Sequence, residues 1–336
     1  MHPAPRAKIS RMSELSIPFN PLREELYTPE DLFGEFDPKD ASSYARCADI
    51  TILSYFWKFG MNPTLKSGAA TLEALHDNAM SLATRSFTKQ HANVIAIMGG
   101  HGMKRGETSY RGISHIAHSL SADGFLLTSG GGPGAMEATH LGAFLSRRPI
   151  GELDDAIAEL KKNAPLPKDA NKLVRKDGTI DLDIATQLHA WFAPALEIRN
   201  ALAPENRGTS LGIPTWLYGF EPTTPFATHS AKYFQNSIRE DGLVTIGVRG
   251  IVFAEGSAGT VQEIFQDASQ NYYKNFYPMV FLSSPAPEKQ HFWEKTLPVR
   301  PLIEALLGGK DEFKKNVLFT DDNDAVVAFL KSHKVA

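Results

Sequence analysis

The stretch Ile251-Val252-Phe253-Ala254-Glu255-Gly256-Ser257-Ala258-Gly259-Thr260-Val261-Gln262-Glu263 decides how the rest of the chain is read. Four apolar residues in a row fit a buried strand. Ile264-Phe265-Gln266-Asp267-Ala268 continues as a helix. A strand that turns through glycines onto a helix N-terminus aims several backbone N–H groups, and the positive end of the helix dipole, at one point. That arrangement suits a phosphate, and Glu263 follows one helical turn later, within reach of whatever the phosphate is attached to.

The same grammar occurs earlier. Phe125-Leu126-Leu127-Thr128 is a strand candidate, Gly130-Gly131-Gly132-Pro133-Gly134 the turn, and Ala135-Met136-Glu137-Ala138 opens a helix with Ala138, Leu141 and Leu145 on one face. A third apolar run, Val94–Met98, ends in Gly99-Gly100. Glycine loops on successive βα units predict an open parallel sheet with ligands at the carboxyl ends of its strands. Further strands are expected at Ser210–Ile213, Met279–Leu282 and Val317–Thr320. Helices are expected over Ser109–Ala122 and from the Asp321-Asp322-Asn323-Asp324 cap cluster through Leu330.

Outside this α/β repeat the chain reads differently. Residues 1–40 are rich in proline and charge and predict an arm on the surface or on a partner. Tyr44 to Phe59 is aromatic-heavy and fits a buried helix, and a helix near Ala69–Ala83 would bury Leu72, Leu75, Ala79 and Leu82. Between about Pro149 and Gly208 the alternation breaks into two amphipathic helices, one carrying Leu153, Ala156, Ile157 and Leu160, the other Ile184, Leu188, Trp191 and Phe192. The expected organisation is a helical N-terminal extension (1–91) and an α/β domain (92–336) with a helical insertion at about 149–208.

Composition bounds the function. With 336 residues, 42% hydrophobic and 22% charged, the chain can bury a full core. No apolar run approaches membrane length, so no membrane partner is expected. A single cysteine, Cys47, forbids an intrachain disulfide and a cysteine-based zinc site, and a reducing cytoplasm is the expected home. A net charge of −3 offers no basic stripe for a nucleic-acid polymer. Gly100-His101-Gly102 is followed by Gly106, which breaks the G-x-G-x-x-G spacing, and Thr128-Ser129-Gly130 stands where a dinucleotide site needs an acid. Neither glycine loop carries the Gly-Lys-Ser/Thr of a P-loop. No nucleophile elbow or metal-ligand spacing is present.

The candidate residues also have structural readings. Thr260-x-x-Glu263 matches a capping box, in which the two side chains satisfy first-turn N–H groups. Gln262, Gln266 and Gln270 fit a solvated helix face. Arg239, read near the end of a helix that contains Tyr233 and Phe234, fits a cation at a helix C-terminus. Trp216, Tyr218 and Phe220 suit either core packing or stacking on a base.

Gly130-Gly131-Gly132-Pro133-Gly134-Ala135-Met136, paired with Gly256-x-x-Gly259-Thr260-x-x-Glu263, resembles the Lonely Guy family of nucleoside-monophosphate phosphoribohydrolases, many of which carry an older lysine decarboxylase label. The inserts and the Gln262–Ala268 helix are similar to the bacterial purine/pyrimidine nucleotide 5′-monophosphate nucleosidases in that group. The resemblance covers residues 92–149 and 209–336. Glu255 stands where the family has proline, and Ser257 where it has glycine.

The resemblance implies a modified Rossmann-like, doubly wound α/β fold. It also implies hydrolysis of a nucleoside 5′-monophosphate, purine or pyrimidine, to free base and ribose 5-phosphate. Glu263 and Arg239 would be catalytic. Gly99, Gly100, Gly130, Gly131, Gly132, Gly134, Met136, Gly256, Ser257, Gly259 and Thr260 would bind the substrate and its phosphate. No metal or organic cofactor is implied, and a homodimer or higher homo-oligomer is. The competing reading is a nucleotide-binding regulator without turnover, for which Glu255 and Ser257 speak. Amino-acid decarboxylation would need a lysine placed for pyridoxal phosphate, and nothing singles out Lys232 or Lys274.

Overall fold

The computed structural model describes residues 17–60, 66–163, 165–217 and 221–333. The helices in chain order are α1 (Pro29–Phe33), α2 (Ala48–Tyr55), α3 (Lys66–Lys89), α4 (Thr108–Ala122), α5 (Ala135–Phe144), α6 (Ile150–Lys162), α7 (Leu182–Ala201), α8 (Asn236–Ile246), α9 (Ala258–Tyr273), α10 (Arg300–Leu307), α11 (Phe313–Asn316) and α12 (Asn323–Ser332). The strands are β1 (Val94–Met98), β2 (Leu126–Ser129), β3 (Ser210–Gly212), β4 (His229–Ser230), β5 (Ile251–Phe253), β6 (Met279–Leu282) and β7 (Val317–Thr320).

These seven strands form one sheet in the order β4-β3-β2-β1-β5-β6-β7, and every pairing is parallel. Parallel strands buried on both faces must be apolar at consecutive positions, as Val94–Met98 and Met279–Leu282 are. Alternate residues then feed two cores. Ala96, Met98, Ile251, Phe253, Met279 and Phe281 face one. Ile95, Ile97, Val252, Val280 and Leu282 face the other. The fold is therefore a doubly wound, Rossmann-like α/β sheet.

The strand order fixes where a ligand can sit. The chain winds from β1 through β2 and β3 towards one edge, then returns to pair β5 on the opposite side of β1. The reversal opens a crevice between β1 and β5 at their carboxyl ends. Ala96–Met98 pair with Ile251–Phe253 there, so the loops at Gly99 and Gly256 flank the crevice.

Two expectations outside the sheet need correction. Residues 17–40 are not a surface arm: Phe19, Leu26, Tyr27, Leu32 and Phe33 are buried, and Tyr27 exchanges backbone hydrogen bonds of 2.9 and 2.8 Å with Ser230 at the edge of β4. Residues 1–16 lie outside the described residues. In α3, Leu72 is buried but Leu75 and Leu82 are 40% and 57% exposed. The inward face instead carries Ala69, His76, Asp77, Met80, Ala83 and Thr84. Polar groups win those positions because each has a partner. The Tyr27 hydroxyl lies 2.9 Å from His76 Nε2, and Asp77 accepts from the N–H groups of Phe234 and Gln235, both at 2.9 Å.

Candidate functional site

The three glycine loops are tied together by their backbones. Gly100 N–H donates to the Glu255 carbonyl at 2.9 Å, and Ala135 N–H donates to the Gly100 carbonyl at 3.2 Å. A Cβ built on Gly100 would lie 3.4 Å from Gly256 Cα, and one on Gly99 would lie 2.8 Å from Ala135 Cβ. Gly134, at φ +71°, would push a Cβ to 2.5 Å from the Gly100 carbonyl oxygen. Only glycine allows both that backbone angle and that approach. Gly131, at φ +72°, seats its loop on the next strand connection, where its carbonyl accepts from Thr224 N–H at 2.9 Å. All the expected glycine loops thus meet at the carboxyl edge of the sheet, around the switch-point crevice.

The Gly256 loop ends on an uncapped helix. Ser257 is the N-cap residue of α9 and its side chain makes no capping bond. Ser257, Ala258 and Gly259 are exposed, and nothing lies within 4 Å of a Cβ built on Gly259. First-turn N–H groups without a side-chain cap are a ready anion site. Because α9 begins at Ala258, Thr260 and Glu263 are interior residues, and the capping-box reading of this pair is corrected. Both are buried. The Thr260 hydroxyl folds back over Gly256, 2.1 Å from where a Cβ there would stand.

Arg239 also sits differently from its sequence reading. The helix carrying it begins at Asn236, after Tyr233 and Phe234, so Arg239 lies near the N-terminal end and not at a dipole-favoured C-terminus. The reason is long-range: the Asp77 carboxylate holds the N–H groups of Phe234 and Gln235 and stops the helix from extending backwards. From α8 the guanidinium reaches both loops. Its Nη1 is 3.5 Å from Glu263 Oε1 and 3.5 Å from a Cβ built on Gly130. Met136 packs beneath, its Sδ 2.6 Å from that same Cβ position and its Cε 2.9 Å from one on Gly132.

The Arg239–Glu263 contact is loose. Charge-assisted N–H···O bonds run at about 2.7–2.9 Å, and 3.5 Å is at the outer limit of contact. Arg239 Nε is buried with no hydrogen-bond partner. Burial pushes the Glu263 carboxyl up to about 7; Arg239 opposes this, while Glu240 and Glu221 add to it. One turn on, burial raises Asp267 well above the carboxylate range, and its Oδ2 has no partner. A site with a carboxyl that exchanges its proton near neutrality and a cation with an unused donor is chemically poised.

Glu255, the departure in the phosphate loop, points out of the crevice. Its Oε1 accepts from Ser284 N–H at 2.9 Å and from the Ser109 hydroxyl at 3.2 Å, and its Oε2 is 3.3 Å from Lys289 Nζ. The repulsion that a carboxylate in this loop would exert on phosphate is thereby directed elsewhere. The glutamines of α9 brace α8: Gln262 donates to Glu240, Gln266 to Asp241 and Gln270 to the Thr245 hydroxyl, at 2.7, 3.2 and 3.4 Å. Trp216 is core, packed against Tyr27, His76 and Phe234, and Tyr218 and Phe220 lie outside the described residues. Lys232 is buried, bonded to Asp49 and to the Thr223 hydroxyl.

Sequence reasoning missed one pair at the crevice. His101 Nδ1 lies 3.3 Å from Glu221 Oε1, and this bond raises the imidazole pKa. The available signal was a carboxylate, Glu221, ahead of Pro222 in the loop after β3; a histidine between two glycines was the other half.

No protein-family model matches the chain, and no curated protein matches it in sequence. Among solved structures the chain is similar to a molybdenum cofactor binding protein from the phototrophic bacterium Rippkaea orientalis. The two are 13% identical with a TM-score of 0.40, over 71% of this chain and 96% of that one. A likeness of that size carries no argument about family or ligand. What the sheet itself defines is an α/β protein with a crevice at its topological switch point. No helix among the described residues is long and apolar enough to cross a membrane.

Proposed function

We propose that the chain hydrolyses the N-glycosidic bond of nucleoside 5′-monophosphates, releasing free base and ribose 5-phosphate. The observation that carries this reading is the unfinished Arg239–Glu263 pair at the junction of three glycine loops. The motif resemblance supports it independently.

In this reading the uncapped N-terminus of α9 and the Gly130–Gly134 loop grip the 5′-phosphate, so binding energy remote from the broken bond orients the sugar. The C1′–N bond breaks with its electron pair passing to the base, and the ribose ring passes through an oxocarbenium-like state. Glu263 in its ionised form opposes that positive charge and holds the ribose hydroxyls. Arg239 donates to the departing base, which gains a proton as water adds to C1′.

The test is to incubate the purified protein with AMP, GMP, IMP, CMP and UMP and to separate the products. Free base with an equal amount of ribose 5-phosphate is the expected outcome. Nucleotide binding without base release from any of the five would replace this reading with that of a binding regulator. The outward turn of Glu255 removes one of the two features that favoured the regulator.

A further inference from the structure

The Arg239–Glu263 pair stands open against its own attraction. Opposite charges withdrawn from water attract strongly, and elsewhere in this molecule they close: Arg105 and Glu137 meet at 2.8 and 2.7 Å. Arg239 and Glu263, with side chains 10% and 11% exposed, stop at 3.5 Å. Arg239 rides on α8 and Glu263 on α9, so their separation follows from how these two helices are fastened.

The fastening is polar, and it starts beside the pair. Gln262, Gln266 and Gln270 recur at every fourth residue, which puts them on one stripe of α9. Each donates to α8, and the bonds lengthen away from the crevice: 2.7 Å to Glu240, 3.2 Å to Asp241 and 3.4 Å to the Thr245 hydroxyl. The shortest bond therefore joins the residue just before Glu263 to the residue just after Arg239. Its acceptor is a carboxylate, which makes it a strong bond of its kind. Glu240 is also held from its own helix, since Asn236 Nδ2 donates to its Oε1 at 2.5 Å while Gln262 takes Oε2. With both oxygens engaged by amides, Glu240 is fixed as a strut between α8 and α9.

We propose that Gln262 is a positioning residue: by clamping Glu240 it holds α8 and α9 at the spacing that keeps Arg239 and Glu263 apart. A closed pair would tie the guanidinium and the carboxylate to each other. An open pair leaves Arg239 free to donate to a ligand and lets Glu263 keep a proton close to neutrality. The inference rests on the hydrolytic reading only where turnover is measured.

The test compares two variants with the native protein. Gln262→Met keeps the length of the side chain and deletes its amide. Gln270→Met makes the same change about two turns further along, where the bond is longest. The charged groups around Glu263 are the same in all three proteins: Arg239 and Glu240 on α8, Glu221 after β3 and Asp267 on α9. Isotope-edited infrared titration follows the Glu263 carboxyl, with Glu263→Gln as the blank, and kcat and KM are measured on the five monophosphates. In Gln262→Met the pair closes and favours the ionised carboxyl, so Glu263 should lose its proton at least about one pH unit lower, a tenfold change in proton affinity. Its kcat should fall by about tenfold or more while KM stays within about threefold, because donor and acid are misplaced for the transition state. Gln270→Met should keep the native titration, with kcat within about threefold of native.

A Glu263 titration that in Gln262→Met is unmoved or moves upward, or that moves equally in Gln270→Met, overturns the inference whatever turnover does. So does a shift specific to Gln262→Met that leaves the kcat of an active protein unchanged. A downward shift specific to Gln262→Met in a protein that releases no base sustains the inference and defeats the hydrolytic reading.

Discussion

Two buried carboxylate–cation pairs in this molecule are built to opposite standards. Asp49 and Lys232 are each about 3% exposed and closely bonded: the lysine binds Asp49 and Thr223, and Asp49 also accepts from Trp216 Nε1 at 3.0 Å. Arg239 and Glu263 are nearly as buried but stand 3.5 Å apart, with Arg239 Nε unused and the Glu263 carboxyl raised to about 7. Arg105 and Glu137 belong with the first kind, joined by two bonds of 2.8 and 2.7 Å and completed by the Tyr110 hydroxyl and the Trp191 carbonyl. A satisfied pair ties distant segments together; here it pins α2 to the loop after β4. An unsatisfied pair holds binding capacity in reserve. Both pairs are largely withdrawn from solvent, so the hydrogen-bond inventory makes the distinction.

The comparison predicts different failures for the two pairs. Glu263→Gln should reduce base release by roughly 10⁴-fold, because the lost charge acts in the transition state. Nucleotide affinity should stay within about tenfold. Full activity in the folded variant would reduce Glu263 to a packing residue. Asp49→Ala should instead lower stability by about 3–5 kcal/mol, since it strands the Lys232 charge in the core. Urea unfolding measures this, and a loss below about 1 kcal/mol would show that the pair is not structural.

The third expectation concerns pH. Glu263 has a folded pKa above its unfolded value, so between about 4.5 and 7 the native state holds a proton that the unfolded chain releases. Stability from this group is complete below the unfolded pKa and is lost as pH rises through about 7, to a limit of ~3 kcal/mol. Asp267 slopes the same way, so the quantity to measure is the difference between Glu263→Gln and the native protein. It should grow in favour of the variant across that window; a flat difference would place the Glu263 carboxyl in the ordinary range. The smallest effect is expected for Glu255→Pro, which removes a side chain already turned towards Ser109, Ser284 and Lys289. Nucleotide affinity at fixed salt should change by less than about threefold, and a gain of about tenfold, or 1.4 kcal/mol, would show that Glu255 burdens the phosphate site.

Much of this was legible in the sequence because it was local. Apolar runs marked six of the seven strands, and the glycines after three of them marked all three crevice loops, since strand burial and tight turning each leave a mark within a few residues. The seventh, β4, spans only His229–Ser230 and has no periodicity to read. The errors share a different cause. The start of α8 depends on Asp77, far away in sequence, and the inward face of α3 is polar because His76 and Asp77 find partners on other segments. Local pattern favours Leu75 and Leu82 there; tertiary bonding overrides it. The capping-box reading of Thr260 and Glu263 failed by one helical turn, because α9 opens at Ala258, directly out of the glycine loop. The Glu221–His101 pair joins two loops far apart in sequence, so neither half of its signal announces the other.

The contrast between a finished and an unfinished ion pair can be tested at a single carboxyl group. Isotope-edited infrared titration of the native protein, with Glu263→Gln as the blank, isolates the protonated carboxyl band of Glu263 from that of Asp267. The expected result is a band that disappears near pH 7 in the free protein and is missing from the variant. A Glu263 carboxyl already ionised throughout the range above about pH 5, as an unperturbed glutamate would be, would contradict the claim that this pair is electrostatically unfinished, and with it the physical basis for placing the chemistry there.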